Sequence, residues 1–174
     1  AGWSAAGIVA SGSDWFVNWA DVPSVMRLAD GTLAAHWLQK SGPGTYAYDV
    51  RLSYSRDEGK TWSPSFTPHD DGTTTEHGFV AFWPQGANNL GVAWLDGRET
   101  ADPAHDGAAK TGEHAKRADK QRADEQQADN KHAAHAGHDG HGGGAMTLRA
   151  AVFDPQMRAS AEAVIDARTC DCCQ

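Results

Sequence analysis

Residues 54–63 read YSRDEGKTWS. A charged, glycine-centred turn stands beside a tryptophan, with apolar and β-branched residues on both sides. Asp57 can accept hydrogen bonds from backbone N–H groups two or more residues on and so close the turn on itself. Gly59 can adopt a positive φ without steric cost. Ser55 and Thr61 add hydroxyls, and Trp62 carries a ring large enough to pin the turn to a core. These offsets predict a self-satisfied β-hairpin corner, not a catalytic loop.

Working outward, two segments resemble each other. VPSVMRLADGTLAAHW ends at Trp37 and FVAFWPQGANNLGVAW ends at Trp94. Aligned on the final tryptophan, Val25 faces Phe82 and Leu33–Trp37 faces Leu90–Trp94. Each reads as strand, turn, strand, with ADGT and QGANN as turns rich in hairpin residues. A second hairpin follows each. The first is AYDVRLSYSRDEGKTWSPSFT, where Val50, Leu52 and Tyr54 alternate as in a half-buried strand. The second is MTLRAAVFDPQMRASAEAVID, whose turn at Asp154–Pro155 lacks the glycine and tryptophan and is a degenerate copy. Two four-stranded units in succession are the mark of a β-propeller.

The second copy is interrupted. Trp37 to Asp57 spans 20 residues and Trp94 to Asp154 spans 60, so about 40 are inserted. The insertion, 101–145, is built of Ala, Asp, Lys, Gln, His and Gly and carries no aromatic or branched aliphatic run. Such a segment buries too little apolar surface to offset its ordering entropy, so disorder is expected. A fraying helix is expected over 108–135, and a glycine tether near 140–144. The organisation reads as a leading segment 1–20, a first blade 21–68, a second blade 69–170 with its insertion, and the start of a third at 171–174.

The 174 residues carry a formal net charge of −8 and no basic stripe, which excludes a general nucleic-acid binder. No run of about 18 apolar residues is present, so no membrane span is expected. No basic-then-apolar leader is visible at Ala1. All seven tryptophans lie in the first hundred residues. The chain reads as a piece of a longer ring, since two blades leave apolar faces bare.

SRDEGKTW resembles the Asp-box, S/T-x-D-x-G-x-T-W, of the sialidase-like BNR-repeat β-propellers. Ser55, Asp57, Gly59, Thr61 and Trp62 fill its fixed positions, and SVMRLADGTLAAHW looks like that family's first-blade hairpin. The resemblance covers roughly 20–100 well and 146–170 loosely. It implies an all-β, exported protein, periplasmic or extracellular, belonging to a six-bladed propeller. By the same resemblance the activity would be glycoside hydrolysis on a sialic-acid-type glycan. Three arginines clamp the substrate carboxylate in that family, a Tyr/Glu pair supplies the nucleophile and an aspartate is the acid–base. The first arginine falls two residues before a proline. Here that tripeptide is Asp21-Val22-Pro23, and an aspartate repels a carboxylate. The remaining arginines and the nucleophile pair are expected in later blades. Asp49 lies near the loop of the family's acid, although its alternation with Val50 also allows it to face solvent.

Three further groups invite chemistry. WLDGRET sets Asp96 and Arg98 at a strand end, where Arg98 either clamps a small anionic ligand or pairs with Asp96 as a turn former. His132, His135, His138 and His141 recur every third residue, a pattern suited to Zn or Cu but equally to a low-complexity tract. Cys170, Cys172 and Cys173 crowd the last five positions. They are thiolates for a soft metal or partners of cysteines elsewhere. His36, beside Trp37, reads as a packed polar residue, and Trp15 and Trp19 as ring closure more than a sugar platform. Two functions therefore stand: a glycosidase-type enzyme, with Asp49 and Arg98 as its catalytic candidates, or a non-catalytic propeller binding a ligand or metal on its axial face.

Overall fold

The computed structural model describes residues 2, 5–101 and 144–169. The histidine tract, the three cysteines, the expected helix and all of the expected tether but Gly144 lie outside them. Seven strands form two antiparallel sheets. β1 (Ser24–Arg27), β2 (Leu33–Lys40) and β3 (Tyr48–Ser55) make the first, in the order β1-β2-β3. β4 (His77–Gln85), β5 (Asn89–Asp96), β6 (Thr147–Phe153) and β7 (Ala163–Asp166) make the second, in sequence order. A 3-10 turn over Arg98–Thr100 follows β5, and among the described residues there is no α-helix. No helix there is long and apolar enough to cross a membrane.

The internal repeat is kept in the pairing. Val25 pairs with Ala35 in the first sheet, and Phe82 with Val92 at the corresponding register in the second. Trp37 pairs with Arg51 and Trp94 with Arg149. The expectation of four strands in the first sheet is corrected to three. The run SPSFT meets β3 through one isolated bridge, Phe66 to Leu52, with a 2.8 Å and a 3.0 Å backbone hydrogen bond, and through a 2.8 Å bond from the Ser63 N–H to the Tyr54 carbonyl. Pro64 has no N–H for a ladder. Ser63 instead receives the Tyr54 N–H on its hydroxyl (3.1 Å), replacing a backbone acceptor.

The core lies between the sheets. Ala34, Leu38, Val50, Leu52 and Tyr54 from one side meet Leu90, Val92, Trp94, Ala151 and Phe153 from the other. Strand alternation turns Ala35 and Trp37 to the opposite face of the first sheet. There they line a groove of about 580 Å³ with Ile8, Trp15, Val17 and Val25. His36 is 2% exposed and meets the edge of Phe82, a packed polar residue as expected.

The Asp57 turn closes on itself. Ser55 Oγ donates to Asp57 Oδ1 (2.9 Å) and accepts from the Gly59 N–H (2.8 Å). Thr61 gives Asp57 its N–H (2.9 Å) and its hydroxyl (2.6 Å). Hydrogen bonds from Thr61 and Ser55 lower the Asp57 carboxyl to about 2. Glu58 and Gly59 both take positive φ, 61° and 83°. Trp62 is half-buried beside Gly59 and stands outside the main core, so it shields the turn more than it anchors it. The β6–β7 turn copies the device in weaker form: Asp154 accepts from the N–H groups of Gln156 and Arg158, with Met157 at φ 63°. A hydrogen bond from Arg56 to the Pro155 carbonyl ties the two turns together.

Candidate functional site

Antiparallel pairing brings the start of β3, the start of β4, the end of β5 and the start of β6 to one end of the molecule. His77, Asp96 and Thr147 form a row across three strands there. Asp49 arrives from β3, and the connection between β3 and β4 contributes His69, Asp71 and Glu76. That connection is pinned by its own polar groups. Thr67 Oγ1 donates to the His69 carbonyl (2.8 Å), and the Gly97 N–H to the Glu76 carbonyl (2.8 Å).

The His69 and His77 rings stack at 3.7 Å, nearly parallel at 10°. Asp71 Oδ2 lies 3.0 Å from His69 Nδ1 and 3.1 Å from His77 Nε2. Asp71 Oδ1 is held by the Thr73 N–H (3.0 Å) and hydroxyl (2.5 Å). On the far side of the rings, Asp49 Oδ1 is 3.4 Å from His77 Nδ1 and 3.9 Å from His69 Nε2. Neither approach has hydrogen-bond geometry: all three atoms are buried without a hydrogen-bond partner among the described residues, and His77 meets Asp49 as an ion pair. The side chains of His77 and His69 are 0% and 5% exposed, and that of Asp49 is 23% exposed.

Charge balance shapes the site. Burial opposes a charged His77, yet Asp49, Asp71 and Asp96 outweigh it and lift the ring to about 9. Burial and the neighbouring His77 lower His69. Burial pushes the Asp71 carboxyl up, but hydrogen bonds from His77 and Thr73 prevail and hold it below its ordinary range. Asp96 is likewise lowered against its burial, by Arg98, His77 and Trp94.

Of the two roles open to Arg98, the structure displays the ion pair. Its Nε and Nη2 grip Asp96 at 2.8 and 2.7 Å, and Nη2 also reaches Glu162 at 3.0 Å. The Trp94 indole donates to the same Asp96 (2.8 Å). Arg149 is bonded to Glu162 (2.7 Å) and Glu99 (3.2 Å). Both guanidiniums are therefore engaged within the protein.

Asp21, at the position of the resemblance's first arginine, is buried, and its Oδ2 accepts the Phe79 N–H at 2.5 Å. It ties the leading segment to an irregularity in β4, where Phe79 adopts φ 51°. Burial raises its pKa, with the Phe79 hydrogen bond opposing. A tyrosine–glutamate pair is present within these residues: Tyr48 donates to Glu76 Oε1 at 2.5 Å. Tyr48 is 0% exposed and stacks at 3.7 Å under Phe16, which walls its phenol off from a substrate.

The structure thus gathers Asp49, Asp96 and Arg98 and adds His69, Asp71 and His77, which the sequence reading passed over. The signal was in HDDGTTTEH (69–77), where two histidines bracket an acidic turn. No protein-family profile matches the chain, and no curated protein matches it.

Proposed function

We propose that this chain is part of an exported, sialidase-like β-propeller whose strand-end face binds a cation and does not hydrolyse sialosides. The Asp-box geometry and the repeated register support the propeller reading. So does the packing: Val92 and Trp94 turn toward the first sheet, while their repeat equivalents Ala35 and Trp37 turn away from the second. Successive sheets stacked in that way, like face after like face, are what the blade reading requires.

One observation carries the cation reading. Asp49 Oδ1, His69 Nε2 and His77 Nδ1 are buried without partners, and the three residues group tightly enough for one ion, with donor atoms within 4.8 Å. A buried acceptor left without a donor costs about 1–3 kcal/mol, which a bound cation relieves. The surroundings agree in sign. Asp49, Asp71, Asp96, Glu99 and Glu162 outnumber Arg98, Arg149 and the raised His77, each of them already paired. An anionic sugar meets net negative charge here.

The glycosidase reading draws on the Tyr48–Glu76 pair, which is too deeply enclosed to attack an anomeric carbon. A fluorogenic sialoside assay is expected to show no turnover above buffer; turnover abolished by Tyr48→Phe overturns the proposal. Thermal midpoints measured with Zn²⁺, Ca²⁺, Mg²⁺ or an alkylammonium are expected to rise for a bound cation, as preferential binding to the folded state requires. No rise with any of them refutes the cation reading.

A further inference from the structure

Resting on that cation reading, we propose that Asp49, His69 and His77 are the protein ligands of a single transition-metal ion of the zinc class. Asp71 is its positioning residue, and one coordination position stays open to solvent beside Asp49.

Asp71 Oδ2 bridges His69 Nδ1 and His77 Nε2 at 3.0 and 3.1 Å. One oxygen thereby sets both rings. The opposite nitrogens, His69 Nε2 and His77 Nδ1, both look toward Asp49 Oδ1, and none of the three atoms has a hydrogen-bond partner among the described residues. A proton on His77 Nδ1 serves one approach to Asp49, whereas a metal ion joins all three atoms. Carboxylate–histidine–metal relays of this form fix ring orientation at metal sites.

The spacing agrees. Metal–ligand bonds of about 2.1 Å at a tetrahedral angle place neighbouring donors about 3.4 Å apart. Two of the three separations are 3.4 and 3.9 Å, and the rings, stacked at 3.7 Å, splay apart for both nitrogens to aim at one ion. Two imidazoles with one carboxylate select zinc-like ions over calcium or magnesium, which take oxygen-dominated shells.

A second group, Asp71, His77 and Asp96, lies on the other side of His77. It already has its cation: Arg98 holds both Asp96 oxygens and stands 3.5 Å from Asp71. One ion, not two, is the consequence. Among the described residues no fourth His, Cys, Asp or Glu joins the first group. Three protein ligands with one free position are the arrangement of working zinc sites; structural ones are closed by four. Solvent reaches the group at Asp49, the least buried of the three.

The test uses the full chain with His132, His135, His138 and His141 and the three cysteines replaced by serine, so that those residues add no metal of their own. Circular dichroism checks folding of every variant. Co²⁺ and Zn²⁺ are expected to bind one per chain, at least 100-fold tighter than Ca²⁺ or Mg²⁺. His69→Gln and His77→Gln should each abolish the tight site. Asp71→Asn, which keeps all three ligands, should weaken it about 10–100-fold and alter the Co²⁺ visible spectrum. Arg98→Gln should leave the stoichiometry at one. Azide added to the Co²⁺ form should shift the visible bands through the open position. Folded protein that ignores Co²⁺ and Zn²⁺, or tight binding that survives both histidine substitutions, overturns the metal centre. If Ca²⁺, Mg²⁺ or an alkylammonium still binds, the cation reading stands without it; if none does, both fall. An unchanged spectrum in azide refutes the open position, and an unchanged one in Asp71→Asn refutes the positioning role.

Discussion

β3 carries a carboxylate near each of its ends, and the two have opposite environments. Beyond its C-terminal end, Asp57 sits in solvent with every demand met by residues within four positions of it. At its N-terminal end, Asp49 sits among groups drawn from 69 to 98, with one oxygen left unpaired. A local turn can satisfy itself because its partners arrive with it along the chain. A cluster assembled from four strands and a long connection owes its geometry to the whole fold, and it is where uncompensated polarity survives.

If that contrast is right, changes beneath the Asp49 end disturb the whole fold, and changes at the Asp57 end stay small. The largest effect is expected from Trp94→Ala, which removes a fully buried indole from under His69 and strips Asp96 of a donor. A loss of about 3–5 kcal/mol is expected from denaturant unfolding; a loss under 1 kcal/mol would break the comparison.

His36 sharpens it through pH. Burial holds this histidine at about 4 against an ordinary 6.5. Between those values the unfolded chain binds a proton that the folded chain refuses. Stability is therefore complete above about 6.5 and declines as pH falls toward 4, by about 3 kcal/mol at most. His69 is lowered as well and adds a decline in the same direction. The readout is therefore the difference between the native chain and His36→Leu at pH 7 and 4.5. Equal pH dependence in the two proteins contradicts the assignment.

Next comes Gly78→Ala. A Cβ there would stand 2.9 Å from Tyr48 Cε2 and closer still to Asp21 Oδ2. Crowding of this kind costs about 1–3 kcal/mol, visible as a lower urea midpoint. The smallest effect belongs to Gly59→Ala in the Asp57 turn, where φ of 83° penalises any side chain by about 1 kcal/mol. If Gly59→Ala proves costlier than Gly78→Ala, the ranking of the two ends is reversed.

The same contrast explains what the sequence disclosed. Ser55, Asp57, Gly59 and Thr61 interact at separations of two and four residues, so their spacing announces their hydrogen bonds. The register of β1 with β2 and of β4 with β5 was legible because both hairpins are local and end on matching tryptophans. Asp49, His69, Asp71, His77 and Asp96 meet only after two sheets have formed. In the sequence, HDDGTTTEH reads as a polar connection, and the eye goes to the denser histidines and cysteines near 132–141 and 170–173. Asp96 and Arg98 were marked by their strand-end position, but whether the guanidinium faced outward or gripped its neighbour depended on Glu162, sixty-four residues away. The first sheet's missing fourth strand turned on Pro64 and the Ser63 hydroxyl, details that alternation alone overrides.

The relation between Trp37 and Trp94 has a geometrical corollary. The contact between the two sheets is directional: the surface that one offers is unlike the surface that the other receives. Joining another unit on the Trp37 side would quench that surface and create its twin one step beyond. A row built by such a rule never finishes on its own. On the proposed propeller reading it ends by bending round to meet its beginning, with the tilt between neighbouring sheets fixing how many units complete the turn.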